Sequence, residues 1–196
     1  MKIGMDKVQI MRPKTRFDLW YVVRNMFSSK EIEQIETDIA SIKPETASII
    51  AGVAPDYRDS KVQWVPQYDQ QNWKWMYQKI WKWAKIANDD NWGFDIQGFR
   101  DSPQYTTYGF PDGHYDWHTD LGGEDIDHRK ISMSLVMQEG DKGGDLEFKV
   151  GTNNEVISLS EGDAVFFPSW YLHRVTRVLS GNRTSLVAWI SGQPFK

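Results

Sequence analysis

The sequence predicts a mainly β protein with flanking helices: a jelly roll, or double-stranded β-helix, supported by helices at its amino-terminal end. Two observations carry that prediction. Beyond about residue 90, apolar and polar residues alternate with period two in a series of short runs, with no helical run between them. Turn residues bound these runs, as in Pro111-Asp112-Gly113, Gly143-Gly144, Glu161-Gly162-Asp163 and Ser180-Gly181-Asn182. Eight short strands spaced in this way suit two sheets folded face to face.

Taken in order, the first element is a helix. Ser28-Ser29-Lys30-Glu31 is a capping box, and Ile32, Ile35, Ile39 and Ile42 follow at helical spacing before Lys43-Pro44 ends the run. Residues 44–66 read as loop and irregular strand, punctuated by Gly52, Pro55 and Pro66. A second helix is predicted from about Gln70 to Ala87, capped by Asp69, with Trp73, Met76, Tyr77, Ile80, Trp83, Ala84 and Ala87 on one face. Past Asn88-Asp89-Asp90-Asn91 the period drops to two, first in Trp92, Phe94 and Ile96. Strands are then predicted over residues 104–108, 114–120, 130–137, 145–150, 155–159, 164–167, 172–178 and 184–190. Together these make a single domain, with about residues 1–98 as mixed helical support and about 99–196 as the jelly-roll core.

Composition agrees with one packed domain. The 196 residues are 40% hydrophobic and 14% aromatic, ample for a sizeable core. A formal net charge of −4 argues against a polyanionic partner for the molecule as a whole. The absence of cysteine excludes disulfides, thiolate metal sites and cysteine nucleophiles. No apolar run approaches membrane-span length, and the amino end Met1–Lys7 lacks the apolar stretch of a secretion signal. A cytoplasmic protein without membrane partners is expected.

Three residues can close on one metal ion. His118 and Asp120, one residue apart, point to the same side of a strand because side chains alternate with period two. His173 stands at the start of a later strand that can lie opposite. Two imidazoles and one carboxylate form the facial ligand set that suits Fe(II) and leaves positions open for a chelating cosubstrate and O2. Arg183 follows His173 by ten residues and shares a strand face with Ser185, Val187 and Trp189. An arginine there is placed to anchor the far carboxylate of a dicarboxylic acid. The pair His114-Tyr115-Asp116 repeats the His-x-Asp pattern, but it sits directly after the turn glycine, so the later pair is preferred. His128 reads as a surface histidine, and Glu124-Asp125-Ile126-Asp127 as a solvated loop.

At these residues the chain resembles the Fe(II)- and 2-oxoglutarate-dependent dioxygenases, in the prolyl 4-hydroxylase-like branch and its short bacterial and phage versions. The resemblance covers about residues 100–196 and runs through Tyr108, His118-Thr119-Asp120, Gly143-Gly144-Asp145-Leu146, Gly162-Asp163-Ala164-Val165-Phe166-Phe167-Pro168, His173-Arg174-Val175 and Gly181-Asn182-Arg183-Thr184-Ser185. It implies iron on His118, Asp120 and His173, and the C5 carboxylate of 2-oxoglutarate on Arg183, assisted by Ser185. Tyr108 matches a tyrosine that lines the cosubstrate pocket of related hydroxylases. The implied cofactor and cosubstrates are Fe(II), 2-oxoglutarate and O2, with ascorbate as an accessory reductant, and a phage-encoded version would act in the host cytoplasm. One departure stands out: where some prolyl hydroxylases place a tyrosine to help hold the C5 carboxylate, this chain has Ile131-Ser132-Met133-Ser134-Leu135-Val136-Met137, leaving Ser132 or Ser134 for that role.

The implied activity is hydroxylation of an unactivated C–H bond, with peptidyl proline as first substrate and a free amino acid or other small metabolite as the alternative. Trp117, Trp170 and Trp189 are candidates for the pocket wall, and the Gly122–Lys130 loop for a lid. A nucleic-acid-directed demethylase draws on Trp73–Trp83, where lysines and aromatics interleave. On a helical wheel that segment is an amphipathic helix with a solvated lysine side, so nucleic acid ranks low as a partner. A zinc hydrolase or a non-catalytic jelly roll leaves Arg183 unexplained. Oligomeric state is not legible.

Overall fold

A computed structural model describes residues 18–48, 52–67, 69 and 71–195 of the chain. The predicted cap of the first helix is present: Ser28 accepts from the Glu31 amide, Glu31 reaches back to the Ser28 amide, and the helix α1 runs Ser29–Ile39. It stops one turn short of Pro44, with Ile42 donating its amide to the Ile39 carbonyl. The second helix, α2, spans Lys74–Asn91 and is capped at Trp73 without a side-chain bond. Asp69 instead closes the preceding turn, accepting from the amide and side chain of Asn72. Gln70 lies outside the described residues. The asparagines at the far end, rather than breaking the helix, secure it, since Asn88 bonds both the amide and the carbonyl of Phe94. Among the described residues no helix is long and apolar enough to cross a membrane.

The β structure is antiparallel in every pairing that positions the site. The large sheet runs in the order Tyr21–Val23, Ala164–Pro168, Arg129–Gln138, Arg183–Gly192, Gln104–Tyr108, Lys61–Trp64, Glu45–Thr46, with Ile96–Gly98 paired beside Arg183–Gly192. The second sheet runs Asn153–Val156, Leu146–Val150, His173–Val175, His114–His118, Arg58–Asp59. The amino-terminal segment therefore supplies edge strands to both sheets as well as the helices.

Period-two alternation divides the interior in two. Ile131, Met133, Leu135, Leu186, Ala188 and Ile190 face outward beneath the helices, where they meet Ile32, Ile35, Met76 and Ile80. The intervening residues of the same strands face the second sheet, over a core of Tyr108, Leu146, Phe148, Val165, Phe167 and Val175. The central strands are buried on both faces, so the inner face is dry enough to hold polar chemistry at low dielectric.

The segment predicted as one strand over 172–178 is two. His173–Val175 joins the second sheet, and Val178–Ser180 pairs with Lys142–Gly143. The strand expected over 155–159 is Asn153–Val156, and Tyr21–Val23 is a strand the periodicity did not predict.

The turn Glu161-Gly162-Asp163 ties the amino-terminal segment to the core. The buried Asp163 carboxylate accepts from Arg24 at 2.7 Å, the Asn25 amide at 2.8 Å and the Ser160 amide at 3.1 Å. Burial opposes its ionisation, but these donors outweigh burial and hold its pKa below the usual carboxylate range. Asp163→Ala is expected to cost about 2–4 kcal/mol in urea unfolding at neutral pH, because it strands amides at a buried turn. A depressed folded-state pKa adds stability above the unfolded value and loses it as pH falls through the folded one. The difference between wild type and variant should therefore shrink below about pH 4.

Candidate metal centre

Strand pairing brings the two predicted histidines together. His118 and His173 are direct partners across adjacent antiparallel strands, with ring centroids 4.2 Å apart. Asp120 follows where its strand ends, held by its own amide and that of Leu121, both donating to the Ser169 carbonyl at 2.9 and 3.0 Å. Its carboxylate lies 3.8 Å from His118 Nε2 and 3.6 Å from His173 Nε2. One ligand atom from each residue falls within 4.8 Å of the others.

Hydrogen bonding orients the rings. Nδ1 of His118 lies 2.7 Å from the Asp116 carbonyl, and Nδ1 of His173 lies 2.8 Å from the Tyr171 carbonyl. A carbonyl only accepts, so each Nδ1 carries a proton and each Nε2 is the ring nitrogen turned toward Asp120 and left for a metal. Burial, followed by the neighbouring His173, pushes the His118 pKa down to about 3, so its imidazole is neutral at physiological pH. Asp120 keeps its charge: burial raises its pKa, but His173, His118 and the Ser132 hydroxyl more than offset this. Among the described residues its Oδ2 is buried with no hydrogen-bond partner. A solitary buried carboxylate oxygen is costly without a counter-charge. A divalent cation on two neutral nitrogens and one carboxylate supplies it, so the donor set fits a first-row metal.

The other predicted residues gather on the large sheet. Arg183 and Tyr108 are strand partners, the guanidinium carbon lying 5.5 Å from the tyrosine ring centre. Arg183 is only 4% exposed and donates from Nη1 to Ser185 Oγ at 3.1 Å. Burial lowers its pKa, while Tyr108 and Asp145 act to raise it. No carboxylate among the described residues forms an ion pair with it. Gly144, at φ +74°, explains the glycine pair: a Cβ there would meet Arg183 Cδ at 3.0 Å.

A cavity of about 770 Å³ opens over the three ligands, with Tyr108, Ser134, Ser185 and Trp189 among its walls. Arg183 itself borders a smaller neighbouring recess of about 180 Å³, and Leu146 lines both. Of the three tryptophans expected at the wall, Trp117 and Trp189 are there. Trp170 is 38% exposed and packs instead on Phe94 and Phe195. Ser134 faces the cavity, whereas Ser132 bonds Ser169 beside the ligand end. His114 lies apart from the ligand cluster, its ring nitrogens against the Asp112 and Asp56 carbonyls. His128 is not a surface residue: it is buried and lies 2.9 Å from Asp101, which also binds Arg129. The acidic loop includes a short helix, Gly123–Ile126, and Ile126 reaches the cavity wall.

Residues 103–191, which contain all three ligands and Arg183, match the family described as the 2OG-Fe(II) oxygenase superfamily. Over that segment, just under half of the chain, the protein is similar to that superfamily. A PKHD-type hydroxylase of Synechococcus sp. (strain CC9311) is 36% identical over 81 residues, covering 40% of this chain and 37% of that protein. One from Crocosphaera subtropica is 33% identical over 85 residues, covering 41% and 38%. The aligned segments thus span less than two-fifths of these relatives.

Likeness of fold extends further. A prolyl 4-hydroxylase of Pseudomonas putida superposes with TM-score 0.68 at 18% identity, over 89% of this chain and 93% of that one. A prolyl hydroxylase of Trichoplax adhaerens, solved with a peptide fragment of hypoxia inducible factor, superposes with TM-score 0.74 at 16% identity, over 89% and 84%. The matched family implies Fe(II), 2-oxoglutarate and O2, and the His118, Asp120 and His173 group fits iron.

Four cavity residues lie before the matched segment: Ser48, Tyr57, Arg58 and Trp64. The sequence carried little signal for them, since they fall in a stretch read as loop and irregular strand. Tyr57 donates to the Trp117 carbonyl at 2.6 Å, and the Tyr115 ring stacks on His118 with centroids 3.5 Å apart. Arg129, within the loop expected as a lid, lies 3.9 Å from the centre of the Trp189 ring and bonds Asp101.

Proposed function

We propose that the protein is an Fe(II)- and 2-oxoglutarate-dependent dioxygenase that hydroxylates an unactivated C–H bond of a prolyl residue in a peptide. The observation that carries this reading is the convergence of two imidazole Nε2 atoms and an unpartnered buried Asp120 oxygen at the floor of a large cavity. His118, Asp120 and His173 hold the iron. Arg183, with Ser185 and the Tyr108 hydroxyl, receives the C5 carboxylate of 2-oxoglutarate, which gives the buried guanidinium its counter-charge. Burial raises the Tyr108 pKa, so its hydroxyl remains a donor.

The bound iron supplies the oxidative chemistry: one oxygen atom enters the substrate C–H bond and the other enters succinate, while 2-oxoglutarate loses CO2. The protein contributes orientation and exclusion of water. Trp117, Trp189 and Tyr57 offer flat apolar walls for a pyrrolidine ring. The prolyl hydroxylases of like fold, one of them solved with a peptide, support peptidyl proline as substrate.

Anaerobic Fe(II) plus 2-oxoglutarate should give a weak visible charge-transfer band, and admitting air should release succinate even without prime substrate. Mass spectrometry of proline-containing peptides should then show products heavier by one oxygen. Hydrolysis supported by zinc, with no succinate from iron, would instead identify a hydrolase.

A further inference from the structure

A second buried arginine, unlike Arg183, lines the large cavity itself. Arg58, on the short edge strand Arg58–Asp59, is 8% exposed and stands opposite Tyr115 in the strand pairing. Its guanidinium lies 4.4 Å above the Tyr115 ring and donates to Gln104 Oε1 at 2.7 Å and Ser60 Oγ at 3.1 Å. These neighbours orient the fork but leave its charge unneutralised. Among the described residues no carboxylate forms an ion pair with Arg58, and the cavity's only acidic wall residue, Asp120, is the one assigned to the metal. A buried guanidinium without a counter-ion is costly, and one facing a cavity is a ready fork for a planar anion.

Resting on the oxygenase reading, we propose that Arg58 binds a carboxylate of the prime substrate, so that the enzyme selects substrates with an anionic group near the hydroxylated carbon. The shared chemistry is the carboxylate, whose source is either the α-carboxylate of a free or carboxy-terminal residue or an acidic side chain next to proline. Arg183 already serves 2-oxoglutarate from the other sheet, so the two guanidiniums divide two anions between them. Arg58 precedes the segment that matches the superfamily, so that match assigns it no role.

The test needs no turnover. The cavity tryptophans report binding by fluorescence, and the whole protein is titrated with N-acetyl-L-proline and with N-acetyl-L-prolinamide, 2-oxoglutarate being in excess. A second pair of probes, a Glu-Pro dipeptide amide and its Gln-Pro counterpart, separates the two sources of the carboxylate. In at least one pair the acid should bind tenfold or more tightly than its neutral partner. Arg58→Met should abolish that preference, and Arg58→Lys should restore part of it. Equal affinities in both pairs, failure to bind included, overturn the proposal, as does a preference that survives in Arg58→Met. A purely structural Arg58 would lower thermal stability in both variants without altering the ratio. Loss of succinate formation with the preference intact would refute the oxygenase reading and leave the carboxylate site standing.

Discussion

Asp120→Ala protein binds no Fe(II) at concentrations that saturate wild type. The loss should exceed the roughly 10–100-fold that outer partners of metal ligands contribute, because Asp120 is the only anion in the ligand set. Thermal unfolding followed anaerobically with and without Fe(II) measures this directly. Metal at a hundred times its Kd stabilises a protein that binds it by about 2.7 kcal/mol. Wild type should show a rise in Tm, and Asp120→Ala and His173→Ala should show none while still unfolding cooperatively. If the Asp120 variant kept the rise, the buried carboxylate oxygen would need another explanation.

Arg183→Met should raise the 2-oxoglutarate requirement of succinate formation by about a hundredfold or more, since truncating one partner of a buried charge pair costs about 2–5 kcal/mol. Methionine retains most of the side-chain volume between Gly144 and Tyr108, which limits structural damage. The effect belongs in KM for 2-oxoglutarate, with a smaller change in kcat at saturation, because the lost contact is made equally in ground and transition states. Arg183→Lys should recover only part, a point charge being unable to match a planar carboxylate with two parallel bonds. An unchanged KM in the methionine variant would remove Arg183 from the cosubstrate site.

The chemistry was legible because it obeys period two. His118 and Asp120 are two residues apart, and Arg183 shares a face with Ser185 and Trp189, so alternation alone assigns each set to one side of its strand. Tyr108 was named from the resemblance alone, and strand pairing sets it opposite Arg183. Where the period fails, sequence reading fails with it. Arg58 belongs to a strand of two residues, and only pairing with His114–His118 carries it to the cavity. Trp170 is close to His173 in the chain, but a turn between them, with the Tyr171 amide on the Pro168 carbonyl, separates their environments. His128 looked exposed beside acidic residues, yet its partner is Asp101, far earlier in the chain. The second helix outran its expected end because Asn88 bonds the following backbone at Phe94, a contact that composition does not reveal.

The decisive measurement is an anomalous-difference map at the iron edge, from crystals grown anaerobically with Fe(II) and 2-oxoglutarate. One peak bonded to His118 Nε2, His173 Nε2 and an Asp120 oxygen, with cosubstrate density reaching Arg183, is the predicted result. Iron bound elsewhere, or these three side chains metal-free at full iron occupancy, would contradict the account.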